Sequence, residues 1–208
     1  LRNDQLLGVK FLRRADDEHV LLLVQHHIVS YDWSMHMMVQ ELVQLYGAYS
    51  QGLSVELEAL PIQYTDYSIW QRRWMEAGET ERQLAYWTDQ LGGEQPVLEL
   101  PTDRSRPAVQ SYRGANITVT VPPALAQKLK QLAQQSNVTL FMLLLASFQA
   151  LLHHYSRQAD IRVGVPVANR NRVETERLLG FFVNTQVLRA RFEEPLSFSE
   201  LVAQVQQT

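Results

Sequence analysis

Two adjacent histidines, His26 and His27, end the aliphatic run Leu21-Leu22-Leu23-Val24 and precede Ile28-Val29-Ser30-Tyr31-Asp32-Trp33. Imidazole ordinarily titrates near neutrality, so a histidine held at a cleft can take a proton from an amine or hydroxyl, or hold that group in place. The run before the pair reads as a strand buried on both faces. After a loop of four or five residues, Met35, Met38, Val39, Leu42, Tyr46 and Tyr49 recur at helical spacing. Strand end, short loop and helix start together form a place where side chains converge and backbone N–H groups point outward. Neighbouring side chains on a strand face opposite ways, so one histidine looks into a cleft while the other braces the loop. A pair of ordinary strand-end histidines fits the same pattern, and pattern alone favours that plainer reading. A metal site is disfavoured, because the two rings diverge and no third ligand follows at a recognisable spacing.

The other candidates read as structural. His153-His154 ends an apolar helix, where imidazole suits the dipole and the solvent. Tyr64, Tyr67, Trp70 and Trp74 read as packing rather than a ligand cage. Arg170, Arg172 and Arg177 with Glu174 and Glu176 read as a solvated helix face.

The elements that position these residues follow from periodicity. Leu6 to Arg13 and His19 to His26 predict a hairpin around Ala15-Asp16-Asp17-Glu18. A helix over 35–49 stops near Gly52, and Leu53 to Pro61 connects onward. Helices are predicted over 62–77 and 79–91, the second stopped by Gly92-Gly93. Residues 95–112, with Pro96, Pro101 and Pro107, read as an extended connection. A strand over 116–121 is expected, then helices from Pro122-Pro123 to 135 and from Asn137 or Thr139 through His154. Ile161 to Val167 and Phe182 to Phe192 read as strands around a short helix over 173–179. Ser197-Phe198-Ser199-Glu200 is a capping box opening a last helix.

Composition bounds the function. The 208 residues are 46% hydrophobic and 20% charged with a net charge of -3, giving a sizeable core and no basic footprint for nucleic acid. The absence of cysteine excludes disulfides and thiolate metal sites and fits the cytoplasm. The longest apolar run, 140–152, is too short for a membrane span. The chain reads as an internal piece of a longer polypeptide.

The motifs resemble those of condensation domains of non-ribosomal peptide synthetases. His26-His27-Ile28-Val29-Ser30-Tyr31-Asp32 stands in place of the family's His-His-x-x-x-Asp-Gly. Tyr64-Thr65-Asp66-Tyr67-Ser68-Ile69-Trp70 resembles Tyr-x-Asp-Tyr/Phe-x-x-Trp. Gly180-Phe181-Phe182-Val183-Asn184-Thr185 through Arg189 resembles Gly-x-Phe-Val-Asn-Thr-x-x-x-Arg. Leu100 to Pro107 and Gly164 to Arg170 are similar to further family segments. The resemblance implies an α/β, two-lobed chloramphenicol-acetyltransferase-like sandwich, with 1–60 ending the first lobe and 61–208 beginning the second. It implies amide formation between a donor thioester and the α-amine of an acceptor aminoacyl thioester. Both substrates ride on phosphopantetheine arms of peptidyl or aminoacyl carrier proteins, with an adenylation domain in the same polypeptide and no cofactor bound by this domain. His27 is then the residue that positions the amine and takes its proton. That amine ordinarily titrates at about 7.7 to 8.0 and must be neutral to attack. His26, Tyr31 and Asp32 would be structural, and Asn184 and Trp33 would lie at the tunnel or lobe junction.

The sequence departs from the motif at Tyr31 and Asp32, where the family has aspartate and glycine. Asp32 tolerates unusual backbone angles and is expected to cap the following helix. Tyr31 exchanges a small carboxylate for a large neutral phenol, which is expected to loosen the histidine loop. Two further readings stay open: a non-catalytic docking relative, and a coenzyme-A-dependent acyltransferase of the same superfamily.

Overall fold

The computed structural model describes residues 5–192 and 196–208. The chain is mixed α/β and divides into two compact units, one within Leu1–Gly92 and Pro166–Thr185, the other within Gly93–Val165 and Gln186–Thr208. This division follows packing within the chain.

The first unit opens with a hairpin of β1 (Leu7–Arg13) and β2 (His19–Gln25), antiparallel in the register Leu7↔Gln25 to Arg13↔His19. Its turn closes through Arg14 N and Ala15 N, both donating to Glu18 O. The run 20–24 is not buried on both faces as expected: Leu21 is 40% and Val24 59% exposed. Aliphatic content is enough for the strand, but burial needs layers packed on each face, and in β2 only Leu23 and Gln25 are half-buried, Gln25 against Met38. A single 3-10 turn, His27–Val29, leads to α1 (Asp32–Tyr49), which starts three residues before the expected Met35. α2 (Tyr64–Trp74) opens with the Asp66 carboxylate accepting from Gln63 N at 2.8 Å. It continues through a π turn at Met75–Glu79 into α3 (Thr80–Leu91). Gly78 has φ +107 in that turn, an angle that a side chain would strain. The segment 166–185 then packs on α1 and α2, burying Tyr31, Tyr67, Leu178 and Phe182 in one cluster.

In the second unit residues 93–122 run without a helix or a strand ladder, and the expected strand over 116–121 does not form. Ile117 is 88% and Val119 81% exposed; alternating β-branched residues make a strand only where a neighbour accepts the ladder. The start of this segment is held by side chains. Gln158 Nε2 donates to Val97 O at 2.9 Å and its Oε1 accepts from Glu99 N at 2.8 Å. Arg162 reaches Gln95 Oε1 at 2.8 Å and Glu94 O at 3.0 Å. α4 (Pro123–Gln135) has proline in its first turn, and α5 (Leu140–Ser156) is capped by Thr139, whose hydroxyl accepts from Met142 N. β3 (Asp160–Val167) pairs with β4 (Asn184–Arg191), with the single-turn α6 (Val173–Glu176) between them in sequence. α7 (Phe198–Gln207) begins with the expected box, Ser197 N donating to Glu200 Oε2 at 2.8 Å. Leu143, Ala146, Ala190 and Leu201 form the centre of this unit's core. Asp160 bridges Arg189 at 2.7 Å and Arg162 at 2.8 Å. His153 is structural as expected, its ring stacked on Phe192 at 4.1 Å and its Nδ1 2.8 Å from Gln158 O. Among the described residues no single helix is long and apolar enough to cross a membrane.

Candidate functional site

The histidine pair lies just beyond β2. His26 N donates to Leu6 O at 2.9 Å, which extends the hairpin by one bond, and the chain then tightens into the 3-10 turn. His26 Nδ1 accepts from Ile28 N at 3.0 Å, so this imidazole caps the turn that carries His27. It therefore braces the loop through a local hydrogen bond from an exposed position, not from behind a strand. His27 is also exposed, and its ring meets the edge of Phe181 at 5.5 Å. His27, Ile28, Phe181 and Val183 line a recess of about 300 Å³ whose walls, the imidazole apart, are hydrocarbon.

Tyr31 is buried, with 8% exposed, in extended backbone immediately before α1. Its hydroxyl donates to Ala168 O at 3.3 Å and accepts from Arg170 Nε. At this position, where a loosened loop is expected, the phenol is anchored at its tip by these two bonds. Asp32 does not cap α1 as expected. Tyr31 occupies the cap position, and Asp32 is the first helical residue, where its charge favours the N-terminal dipole. Nor does position 32 have positive φ among the described residues, so the family's glycine is not needed there for backbone freedom.

Arg170 is not on a solvated helix face. It follows Asn169, whose φ of 53 turns the chain before α6, and its guanidinium points inward. Nη2 donates to Ser34 Oγ at 3.0 Å, and Nη1 donates to Thr175 O and to Glu176 O. Its Cζ lies 4.1 Å from the Phe182 ring centroid, 5.2 Å from that of Tyr31 and 5.7 Å from that of Trp33. Sequence reasoning missed this residue because neighbouring glutamates suggested surface pairing. The available signal was its place outside the helix, at the end of the Gly164 to Arg170 segment. Arg177 does pair at the surface, with Glu58 and, at 3.9 Å, Glu41.

The three motifs, the first and last separated by more than a hundred residues, meet around 176–183. Trp33 Nε1 donates to Glu176 O at 2.9 Å. Ser34 Oγ donates to Gly180 O at 2.9 Å and accepts from Gly180 N at 3.2 Å. Tyr64 Oη donates to Phe181 O at 2.8 Å, and its ring lies against Gly180. A Cβ there would sit 2.2 Å from Tyr64 Cδ2, which is why this motif needs its glycine. Burial raises the Tyr64 and Tyr67 phenols above their ordinary value, and the Arg170 charge pulls the other way. Both are protonated near neutrality, so Tyr64 is available as a donor. Tyr67 packs on Phe182 at 4.7 Å, and Arg172 lies 4.3 Å over Trp70, which in turn stacks on Trp74. The aromatics are packing, as expected. Asn184 starts β4 with its Oδ1 accepting from Thr185 N at 2.9 Å, adjacent in sequence to the recess residue Val183. No group of three or more histidine, aspartate or glutamate side chains among the described residues could hold a metal ion.

Comparison with known proteins places this arrangement. The model of a family described as the condensation domain matches residues 1–208. The chain is 49% identical over 208 residues to a linear gramicidin synthase of Brevibacillus parabrevis, covering 100% of this chain and 3% of that protein. It is 42% identical over 208 residues, or 19% of the relative's length, to a phosphinothricin tripeptide synthetase of Streptomyces viridochromogenes. The X-domain from teicoplanin biosynthesis superposes with a TM-score of 0.87 at 26% identity, over 99% of this chain and 47% of that one. The first condensation domain of the CDA synthetase gives 0.72 at 25% identity, over 97% and 44%. The chain thus spans less than half of these two solved structures and a small part of the two synthetases. The expected α/β fold class is that of these neighbours.

Proposed function

Since this chain belongs to the condensation domain family, we propose that it serves peptide-bond formation in non-ribosomal peptide synthesis. The acceptor's α-amine nitrogen attacks the donor's thioester carbonyl, an amide forms, and the donor's carrier thiol leaves. The amine gives up a proton as the C–N bond forms and the leaving sulfur takes one, so the protein need only place the two ends and move that proton. His27 is the residue for this role: its imidazole lines a hydrocarbon-walled recess with Ile28, Phe181 and Val183, from the first and third motifs, and Tyr64 of the second holds the Phe181 backbone. That single observation carries the reading. His26 and Tyr31 hold the turn, Asp32 and Trp33 begin α1, and Asn184 extends the site beyond Val183 toward the tunnel between lobes.

The wider assignment rests on the same family membership. Residues 1–60 supply the end of the first lobe and 61–208 the start of the second. Peptidyl and aminoacyl carrier proteins present the substrates on phosphopantetheine arms, and an adenylation domain lies in the same polypeptide. The relatives' full lengths and a four-domain synthetase among the structural neighbours support that arrangement. Proximity of two tethered reactants supplies much of the acceleration, and His27 multiplies it by positioning the amine and moving its proton.

The deciding experiment loads a donor carrier and an acceptor carrier, adds the protein that contains this chain, and follows amide formation by mass spectrometry in single turnover. Transfer to the acceptor carrier is expected, with none to a free amine from acyl-coenzyme A. Transfer from acyl-coenzyme A alone would favour the acyltransferase alternative, and no transfer at all would favour a docking role.

A further inference from the structure

We propose that Tyr31 is a positioning residue for the proposed reaction. Through Arg170 its phenol sets where the His27 turn meets Phe181. The inference rests on the reading of His27 given above and extends it to a residue that departs from the motif.

Three observations carry it. First, Arg170 is half-buried, yet no carboxylate of the described residues lies within 4.0 Å of it. Its donors end instead on neutral oxygens: the Tyr31 phenol, the Ser34 hydroxyl and two main-chain carbonyls. A partly desolvated cation held this way depends on each acceptor, because losing one leaves an N–H without a partner. Second, Tyr31 is the only one of those acceptors on the histidine loop itself, four positions after His27, and among the described residues the phenol oxygen has only one other partner, Ala168 O, to which it donates. Third, Tyr31 and His27 both meet Phe181 edge to face, with centroids at 6.3 and 5.5 Å. Freeing the phenol lets its ring shift on Phe181, and that shift reaches the imidazole through the same contact. The guanidinium carbon also lies 5.2 Å from the Tyr31 ring centroid, beside the oxygen that it bonds.

Tyr31→Phe deletes one oxygen and keeps the ring, and Arg170→Lys keeps the charge but not the planar fork. In the full protein with loaded carriers, Tyr31→Phe is expected to lower the single-turnover rate by roughly ten- to a hundredfold. The concentration of acceptor carrier giving half the maximal rate should stay unchanged. Tyr31→Phe added to Arg170→Lys should lower the rate little further, since both act through one contact. A second readout needs no turnover: the rate at which diethyl pyrocarbonate modifies each histidine, followed by peptide mass spectrometry. His27 should change its rate in Tyr31→Phe while His19, in the hairpin, does not. The proposal is overturned if Tyr31→Phe keeps the wild-type rate, if the two substitutions multiply independently, or if only the half-saturating concentration rises. Should Arg170→Lys fail to fold, Tyr31→Phe decides alone. If the wild type forms no amide, the proposed function fails, and the histidine modification rates then decide this inference separately, unchanged rates at His27 overturning it.

Discussion

Replacing Gly180 by alanine adds one methyl group, and the structure says where it goes. The new Cβ would lie 2.2 Å from Tyr64 Cδ2 and 2.4 Å from Cε2. The backbone cannot retreat, because Ser34 holds Gly180 by both its N–H and its carbonyl. The Tyr64 ring must swing outward instead, giving up its bond to Phe181 O and its edge contact with Phe182 at 5.2 Å. One hydrogen bond, one aromatic pair and residual overpacking together cost about 2–4 kcal/mol. With a urea slope of about 2 kcal/mol per molar, that moves the midpoint down by about 1–2 M. Tryptophan fluorescence reads it selectively, since Trp33, Trp70, Trp74 and Trp87 all lie in the first unit. The control is the same substitution in Tyr64→Ala. Gly180 has no positive φ, so once the ring is gone the alanine should be neutral or stabilise by about 0.4–1 kcal/mol through the unfolded chain. An equal loss in both backgrounds would refute the account, because the clash would then not be with Tyr64.

Further predictions bear on other parts of the chain. His27→Ala should abolish most of the single-turnover rate with little change in melting temperature, while His26→Ala should lower stability by about 1 kcal/mol through its lost cap. Reversed effects, seen by the same two assays, would exchange the roles. For Asp160, burial alone would raise the carboxyl, but hydrogen bonds from Arg189 and Arg162 more than offset it and hold it below the ordinary 3.8. Its contribution is therefore present above that pH and is lost as pH falls through the lowered value, so Asp160→Asn should flatten the stability profile below pH 3.8. Circular dichroism melts over an acid series would show an unchanged profile if the arginine pairing were idle. With Val9 57% and Phe11 67% exposed on a two-stranded hairpin, the 208-residue chain should self-associate. Sedimentation velocity showing a monomer at all concentrations would contradict this, and Phe11→Lys should reduce the association.

Local chemistry was the legible part of the sequence. Pro123 in a first turn, Thr139 and Ser197 as caps, and the strand pair of the hairpin are decided by residues within a few positions of one another. The convergence at 176–183 could be inferred only from the resemblance of three motifs, since no spacing rule links Ser34 to Gly180 across 146 positions. The reading of Tyr31 weighed charge and left out reach. A phenol carries its oxygen well beyond a carboxylate's, to a guanidinium supplied from residue 170. The strand over 116–121 failed for the complementary reason, because pairing depends on a neighbour that periodicity does not reveal.

The hold on the segment 175–181 has one more property. Trp33, Ser34, Tyr64 and Arg170 grip it by the carbonyl oxygens of Glu176, Gly180, Phe181 and Thr175, which every residue type possesses. Frame and lining are thereby separable. Val183 carries none of these bonds and can exchange its side chain without loosening the frame, whereas the Phe181 ring also meets His27 and Tyr31. Drift in the lining can proceed through intermediates that stay folded, whereas drift in the frame must pass through Gly180, where a single added carbon meets a ring. A lineage under pressure to accept a different side chain thus has a short, open route at the recess and a closed one beside it.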